Sequence, residues 1–325
     1  MQRPPWPHTL PGVQTQDKTA AADTNVPAPI FILASQRSFT SLFCAMIGQH
    51  PAVYGVPEIN LFCKGTVSDL MRYAVGERQY MIHGLWRAVA QLYGGEQTLE
   101  TVEMARRWLN ARTRMTTGEL YTDLCQRVAP LCVTDKSPAY AKNARAMRRM
   151  RSTFPHARYI YMTRHPKDQG KSVMGAPQAM ATLFASDSVD YETQPPTIDP
   201  QFVWYETQRK ILDFLDTIPP AQQFQIRGEL LVSDPKTHLA EICRWLGLAW
   251  NDDIYAQMLR TEDSPYASMG PFGCQWGNNP GFQKSPVFRQ SPIKDTPLEG
   301  PLAWRKDKKP FRPEILELAK KLGYS

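Results

Sequence analysis

Residues 30–49, IFILASQRSFTSLFCAMIGQ, constrain the fold more than any other stretch of the chain. Four apolar residues, Ile30, Phe31, Ile32 and Leu33, read as a short buried strand. The chain then turns polar at Ser35, Gln36, Arg37 and Ser38, with Thr40 and Ser41 following Phe39. From Leu42 a helical apolar spacing takes over, through Phe43, Ala45, Met46 and Ile47. A buried strand, a polar loop and a helix make an anion-binding turn, because backbone N–H groups and a helix N-terminus converge on the loop. Arg37 adds a rigid fork of donors suited to phosphate or sulfate oxygens.

Two further strand-to-helix units follow. Residues 131–134 form a short apolar run ending at Asp135-Lys136-Ser137-Pro138, and a basic helix is expected over 141–154. Residues 157–162 form another strand, ending in Thr163-Arg164-His165-Pro166, with Pro166 as the first residue of a helix. Strand and helix alternate, so the expected fold class is α/β: a central parallel sheet with a P-loop-like strand-loop-helix and helices on both faces, binding ligands at the strand C-termini. Residues 60–127 read as mainly helical, and Thr116 and Glu119 have capping-box spacing. The expected organisation is a flexible tail over 1–27 and a single domain over 28–325, with a helical insert at about 60–130. Residues 186–200 read as a loop, 200–217 as a helix, 223–226 as a strand and 313–322 as a closing helix. The Gly-, Pro-, Ser- and Asn-rich segment 264–300 has the length of a binding loop or lid.

Composition narrows the function classes. The net charge of +7 suits an anionic ligand. The densest basic run, 142–151, reads as a solvated helix face rather than a nucleic-acid patch, so no nucleic-acid partner is expected. The six cysteines form no Cys-x-x-Cys pair and lie beside no histidines at zinc spacing, so they read as thiols of a reducing compartment, and no metal is expected. No stretch reaches the roughly 20 apolar residues of a membrane span, and residues 1–27 lack the apolar core of a secretory signal. The expected location is cytoplasmic.

The loop at 34–42 lacks the Gly-Lys of a nucleotidase P-loop, which counts against a kinase or GTPase. On its own it is as consistent with a surface arginine and capping hydroxyls as with a site. A second constellation shifts that balance. Arg164 stands at a strand end, and Ser172 lies two turns along the following helix, a pair able to hold a phosphate.

In this order the two motifs resemble the sulfotransferase superfamily, which uses 3′-phosphoadenosine 5′-phosphosulfate (PAPS). The first loop of that family reads G-x-P-R-S-G-T-T-L, against Ala34-Ser35-Gln36-Arg37-Ser38-Phe39-Thr40-Ser41-Leu42 here. The second, R-x-P-x-D-x-x-x-S, is matched by Arg164, Pro166, Asp168 and Ser172. Asp135-Lys136-Ser137-Pro138-Ala139-Tyr140, Glu229–Pro235 and Arg244–Leu248 resemble three further family segments, so the likeness spans about residues 28–250. His50-Pro51…Pro57-Glu58 is similar to a branch, including tyrosylprotein sulfotransferases, whose Pro-Glu supplies the catalytic base. The helical insert and residues 211–215 are closer to sulfotransferase domains of olefin-forming polyketide synthases, which implies secondary metabolism and a carrier-held acyl acceptor.

The resemblance implies sulfuryl transfer from PAPS to a hydroxyl of a small-molecule or acyl-type acceptor. Gln36, Arg37, Ser38, Phe39, Thr40 and Ser41 would hold the 5′-phosphosulfate, with Arg37 aiding the leaving phosphate, and Arg164 and Ser172 the 3′-phosphate. Glu58 would take the acceptor proton or else complement a helix N-terminus. Lys136 would stabilise the transferring group or else pair with Asp135. The 264–290 loop, with Lys284, matches the family poorly and is expected from its length to close over the donor. Three positions depart from the pattern: Phe39 for glycine, where φ > 0 is costly, Gln36 for proline, and Gly228 where tyrosine is frequent. The alternatives are protein-tyrosine sulfation, a non-catalytic binding protein that keeps the fold, and a P-loop kinase. Oligomeric state is left open by the sequence.

Overall fold

The computed structural model describes residues 26–176, 183, 186 and 188–325, so the tail expected over 1–27 lies, except for Val26 and Pro27, outside the described residues. Strand β1 (Ile30–Leu33) runs through the polar loop into α1 (Thr40–Gly48), and β2 (Val53–Gly55) follows. Next come α2 (Val67–Tyr73), α3 (Tyr80–Gly94), α4 (Leu99–Asn110) and α5 (Thr117–Val128), before the chain re-enters the sheet at β3 (Cys132–Asp135). Then come α6 (Pro138–Ala141), α7 (Ala144–Thr153), β4 (Arg158–Thr163) and α8 (Pro166–Met174). Strands β5 (Val189–Asp190) and β6 (Thr197–Ile198) form an antiparallel pair, followed by α9 (Pro200–Leu215), β7 (Gln223–Arg227) and α10 (Gly228–Ser233). The chain ends with α11 (Pro235–Leu246), α12 (Asp252–Met258), α13 (Pro280–Lys284) and α14 (Pro313–Lys321).

The five-stranded sheet has the order β2-β3-β1-β4-β7 and is parallel throughout. The chain leaves β1 towards β2 and β3 on one side, then crosses to β4 and β7 on the other. That reversal opens a crevice at the C-terminal end of β1, the usual ligand position in such sheets. The loop after β1, Glu58 beyond β2, Lys136 after β3 and Arg164 after β4 all leave the sheet at this edge.

Period-two alternation explains why both faces are covered. Ile30, Ile32, Ile160 and Met162 pack with Phe43, Met46 and Ile47 of α1 and with Leu239 and Ile242 of α11. Phe31, Leu33, Tyr159 and Tyr161 face the opposite layer, with α3, α5, α7 and α9. Strands buried on both sides must be apolar at every position, as Ile30–Leu33 are. Thr98 and Thr116 each close a reciprocal capping box, at the starts of α4 and α5.

Three local expectations are corrected. The basic helix expected over 141–154 starts only at Ala144, after the separate turn α6, because the Asn143 side chain accepts from the N–H groups of Arg145 and Ala146 and caps α7. The segment read as a loop over 186–200 contains the β5–β6 ladder. The long 264–300 segment carries the short helix α13. Among the described residues no helix is long and apolar enough to cross a membrane.

Candidate functional site

The loop between β1 and α1 holds two side chains in left-handed backbone: Arg37 at φ 66° and Phe39 at φ 62°. Each such non-glycine residue costs of order 1–3 kcal/mol, so surrounding contacts must impose it. Arg164 Nη1 donates to the Arg37 carbonyl at 2.7 Å, and Gln169 Nε2 donates to the Gln36 carbonyl at 2.9 Å. The Arg164 guanidinium lies 4.5 Å from the centroid of the Phe39 ring. That ring occupies space left by Gly228: a Cβ on Gly228 would stand 2.5 Å from Phe39 Cδ2. Phe39 is also the N-cap of α1 and gives it no side-chain cap, so the first-turn N–H groups are left for other partners.

Arg37 Nε donates to Ser172 Oγ at 3.0 Å, which joins the loop to α8. The Arg164 Nε and Gln36 Nε2 atoms are buried without hydrogen-bond partners among the described residues. Burial lowers the Arg37 and Arg164 pKa values from the usual guanidinium range. Helix α8 is held from outside by residues 296–305. Thr296 Oγ1 donates to Asp168 Oδ2 at 3.2 Å, Lys167 Nζ donates to the Glu299 carbonyl, and Trp304 lies so close to Gly170 that a Cβ there would be 2.5 Å from its Cη2. Trp304 Nε1 and Arg305 both bond Asp199, and Arg305 also bridges Asp190 at 2.8 Å.

The third part of the site centres on Lys136. Its side chain is 1% exposed, and its Nζ reaches Ser41 Oγ at 2.9 Å and Glu58 Oε1 at 2.5 Å. One ammonium therefore joins the anion loop to the Pro-Glu segment. Lys136 does not pair with Asp135 as one sequence reading allowed. Asp135 instead accepts from Ser137 N at 2.9 Å, Ser137 Oγ at 2.7 Å and Tyr140 Oη at 3.0 Å. Burial pushes the Asp135 carboxyl up to about 7, against the opposing pull of these donors. Ser137 Oγ in turn accepts from Asn60 N at 3.0 Å, which fixes the backbone two residues beyond Glu58. The Glu58 N–H donates to the Gly277 carbonyl at 2.6 Å, so the 264–284 segment packs against the same turn.

Of the residues singled out from sequence, Arg37, Arg164 and Ser172 meet at one point, and Ser41, Glu58 and Lys136 at another. Ser38 is fully buried, and its hydroxyl bonds Ser35 Oγ at 3.0 Å rather than facing the loop mouth. Thr40 is buried as the first residue of α1. Lys284 is exposed at the end of α13, and a Cβ on Gly281 of that helix would be 3.8 Å from Arg37 Nη2. His50 and His165 serve turns: His50 bonds Ala52 N and the Ala249 carbonyl, and His165 Nδ1 accepts from Lys167 N. Sequence reasoning missed Gln169, Asn60 and the Trp304–Arg305 strap, because each acts on a distant backbone atom or helix that no local pattern announces, and it quoted Ser137 only as part of a motif.

Residues 29–252 match the model of a sulfotransferase family. No curated protein is a significant match. Two solved structures share the fold. The sulfotransferase domain from the curacin biosynthetic pathway is 24% identical, with a TM-score of 0.70 over 93% of this chain and 99% of that one. The sulfotransferase domain from the Synechococcus PCC 7002 olefin synthase is 22% identical, with a TM-score of 0.67 over 95% and 99%.

Proposed function

The chain belongs to the sulfotransferase family, and from that premise we propose that it transfers a sulfuryl group from PAPS to the hydroxyl of a small-molecule or carrier-bound acyl acceptor. The observation that carries this reading is Lys136 Nζ, buried between Ser41 Oγ and Glu58 Oε1. In the proposed reaction the Glu58 carboxylate removes the acceptor proton as the hydroxyl oxygen attacks sulfur. A bond from oxygen to sulfur forms, the bond from sulfur to the bridging phosphate oxygen breaks, and 3′,5′-adenosine bisphosphate leaves with the electron pair. Lys136 is within reach of both the base and the loop, so it stabilises charge on the sulfuryl group while holding the Glu58 carboxyl in place.

The loop residues fit such a donor. The buried, unpartnered Nε of Arg164 and Nε2 of Gln36 are donors awaiting acceptor oxygens. Ser172 and Arg37, bonded to each other, would turn to the 3′-phosphate and the leaving phosphate. The polyketide-type acceptor is favoured by the fold shared with the curacin and olefin synthase domains along nearly their whole length.

Thermal denaturation with 3′,5′-adenosine bisphosphate, against ATP with Mg²⁺, tests the donor assignment. A ligand at 100 times its Kd stabilises by about 2.7 kcal/mol. Stabilisation by the bisphosphate alone is expected. Stabilisation by ATP with Mg²⁺ alone would make the chain a kinase-type nucleotide binder, and sulfuryl transfer would be rejected.

A further inference from the structure

We propose that Lys64 and Arg78, gathered on the ring of Tyr73 beside Glu58, bind an anionic group of the acceptor, so that the protein selects hydroxylated acceptors bearing a carboxylate or a phosphate. The inference rests on the reading of Glu58 as the residue that meets the acceptor hydroxyl.

Lys64 Nζ lies 4.0 Å from the Tyr73 ring centroid and the Arg78 guanidinium carbon 4.9 Å. One exposed cation on a ring gains about 0.5–1 kcal/mol and suffices to pin a turn. A second positive charge on the same ring is repelled by the first, and an anion between them removes the repulsion. Neither cation has a carboxylate within 4.0 Å among the described residues. The nearby Asp69 is engaged by Arg72 at 2.5 Å, and Glu77 pairs with neither cation. Among the described residues the two cations thus stand without an ion-pair partner, with Lys64 acting on the Asp69 carboxylate only from beyond 4.0 Å.

Its position is set by the turn that carries Glu58. Lys64 follows the short helical turn Leu61–Cys63, whose first flanking residue is Asn60. Asn60 Nδ2 donates to the Met81 carbonyl at 2.9 Å and to the Glu58 carbonyl at 3.2 Å. Gly84 packs so tightly there that a Cβ would lie 2.1 Å from the Glu58 carbonyl oxygen. The first turn of α3 therefore sits directly on the Glu58 segment. Tyr80, which opens α3, is 53% exposed, and Val75, three residues before Arg78, is 63% exposed. The Tyr80 hydroxyl is raised in pKa by partial burial, then by its neighbours Tyr73 and Glu58. Between Lys64 and the start of α3 the chain thus offers two cations, two phenols and one exposed aliphatic side chain. This is a lip built for a chain with an acidic end rather than for a neutral alcohol.

The test measures binding, without turnover, to the protein saturated with 3′,5′-adenosine bisphosphate. The probes are hydroxyalkanoic acids of graded chain length, their methyl esters and the matching hydroxyalkyl phosphates. Acids or phosphates are expected to bind about tenfold tighter than the esters, the product of roughly threefold per exposed cation. Lys64→Met and Arg78→Met should each lose about threefold of that preference, the double variant all of it, while Lys64→Arg keeps it. The preference should also fall as salt rises. Tighter phosphates than acids would assign a phosphate ester as the group recognised, and the reverse a carboxylate. Equal affinity for acids and esters, a preference that survives the double variant, or no binding by any probe would overturn the proposal. Bisphosphate binding by the same proteins reads the donor site separately. Its loss in wild type would sink the donor assignment, whereas retained bisphosphate binding with indifference to acceptor charge would sink only the lip.

Discussion

The ring of Phe39 fills the volume that any side chain at residue 228 would need, so two of the three departures from the family pattern are one packing unit. A large residue in the loop is matched by the absence of one on α10. The Arg164 guanidinium rests on the same ring. Gly228→Ala should therefore cost about 1–3 kcal/mol by overpacking. Phe39→Gly should relieve the left-handed backbone yet lose the stacked arginine. In the double variant the two effects should fail to add by 0.5 kcal/mol or more, as for residues in contact. Urea denaturation of the four proteins measures this, and strict additivity would contradict the pairing.

Ser172 and Arg37 are joined at 3.0 Å. If they serve the 3′-phosphate, Ser172→Ala should weaken binding of 3′,5′-adenosine bisphosphate by about 1.5–3 kcal/mol, the worth of a hydrogen bond to a charged group. Adenosine 5′-phosphate, which lacks that phosphate, should be unaffected. Isothermal titration of both nucleotides checks it, and an equal loss for both would remove Ser172 from the 3′-phosphate.

Glu58→Gln keeps the shape of the side chain but cannot take a proton. It should lower kcat about 10²- to 10⁴-fold and leave bisphosphate binding intact. Lys136→Met should be worse for folding as well, since it leaves Ser41 and the partly buried Glu58 carboxylate without their shared ammonium. Turnover by the Glu58 variant at the wild-type rate would exclude it as the base.

The Asp135 carboxyl has a native pKa of about 7, raised by burial from the ordinary 3.8. The native protein then binds more protons than the unfolded chain between about pH 4 and 7, so this group's contribution to stability is full below 4 and is lost as pH rises through 7. His83 acts in the opposite sense. Burial, with Arg106 and Arg87 nearby, lowers it from 6.5 to about 4, so its contribution is present above 6.5 and lost as pH falls through 4. Asp135→Asn should remove only the first effect. Between pH 4 and 7 the variant's melting temperature should rise with pH relative to wild type, and parallel curves would refute the assignment.

Arg305 is 2% exposed in its side chain and bridges Asp190 and Asp199, themselves buried. Arg305→Met should cost about 3–5 kcal/mol by leaving the buried Asp199 carboxylate without a cation and Asp190 with only the more distant Arg312. Loss of the strap should also loosen α8 through Trp304 and Gly170. Chemical denaturation and hydrogen exchange along α8 would show both, and an unchanged midpoint would deny the strap its role.

The sheet and its loop were legible in the chain because their signals are local. Four consecutive apolar residues at Ile30–Leu33 can only be buried on both faces. A polar turn followed by helical spacing places an anion loop at the end of that strand, and the proline after His165 marks a helix start. The capping pair Thr116 and Glu119 was likewise readable. The break at Asn143 was not, since a capping asparagine inside a basic run competes with continuous helix on nearly equal terms. Tertiary structure alone decided how Phe39 is tolerated, because its cost is offset by Gly228 and Arg164, residues more than a hundred positions away. It alone decided that Lys136 turns to Ser41 and Glu58 while Asp135 turns to Ser137 and Tyr140. Adjacent residues on a strand end point to opposite sides, and which partner waits on each side depends on the order in which the strands assemble, which no single stretch of sequence encodes.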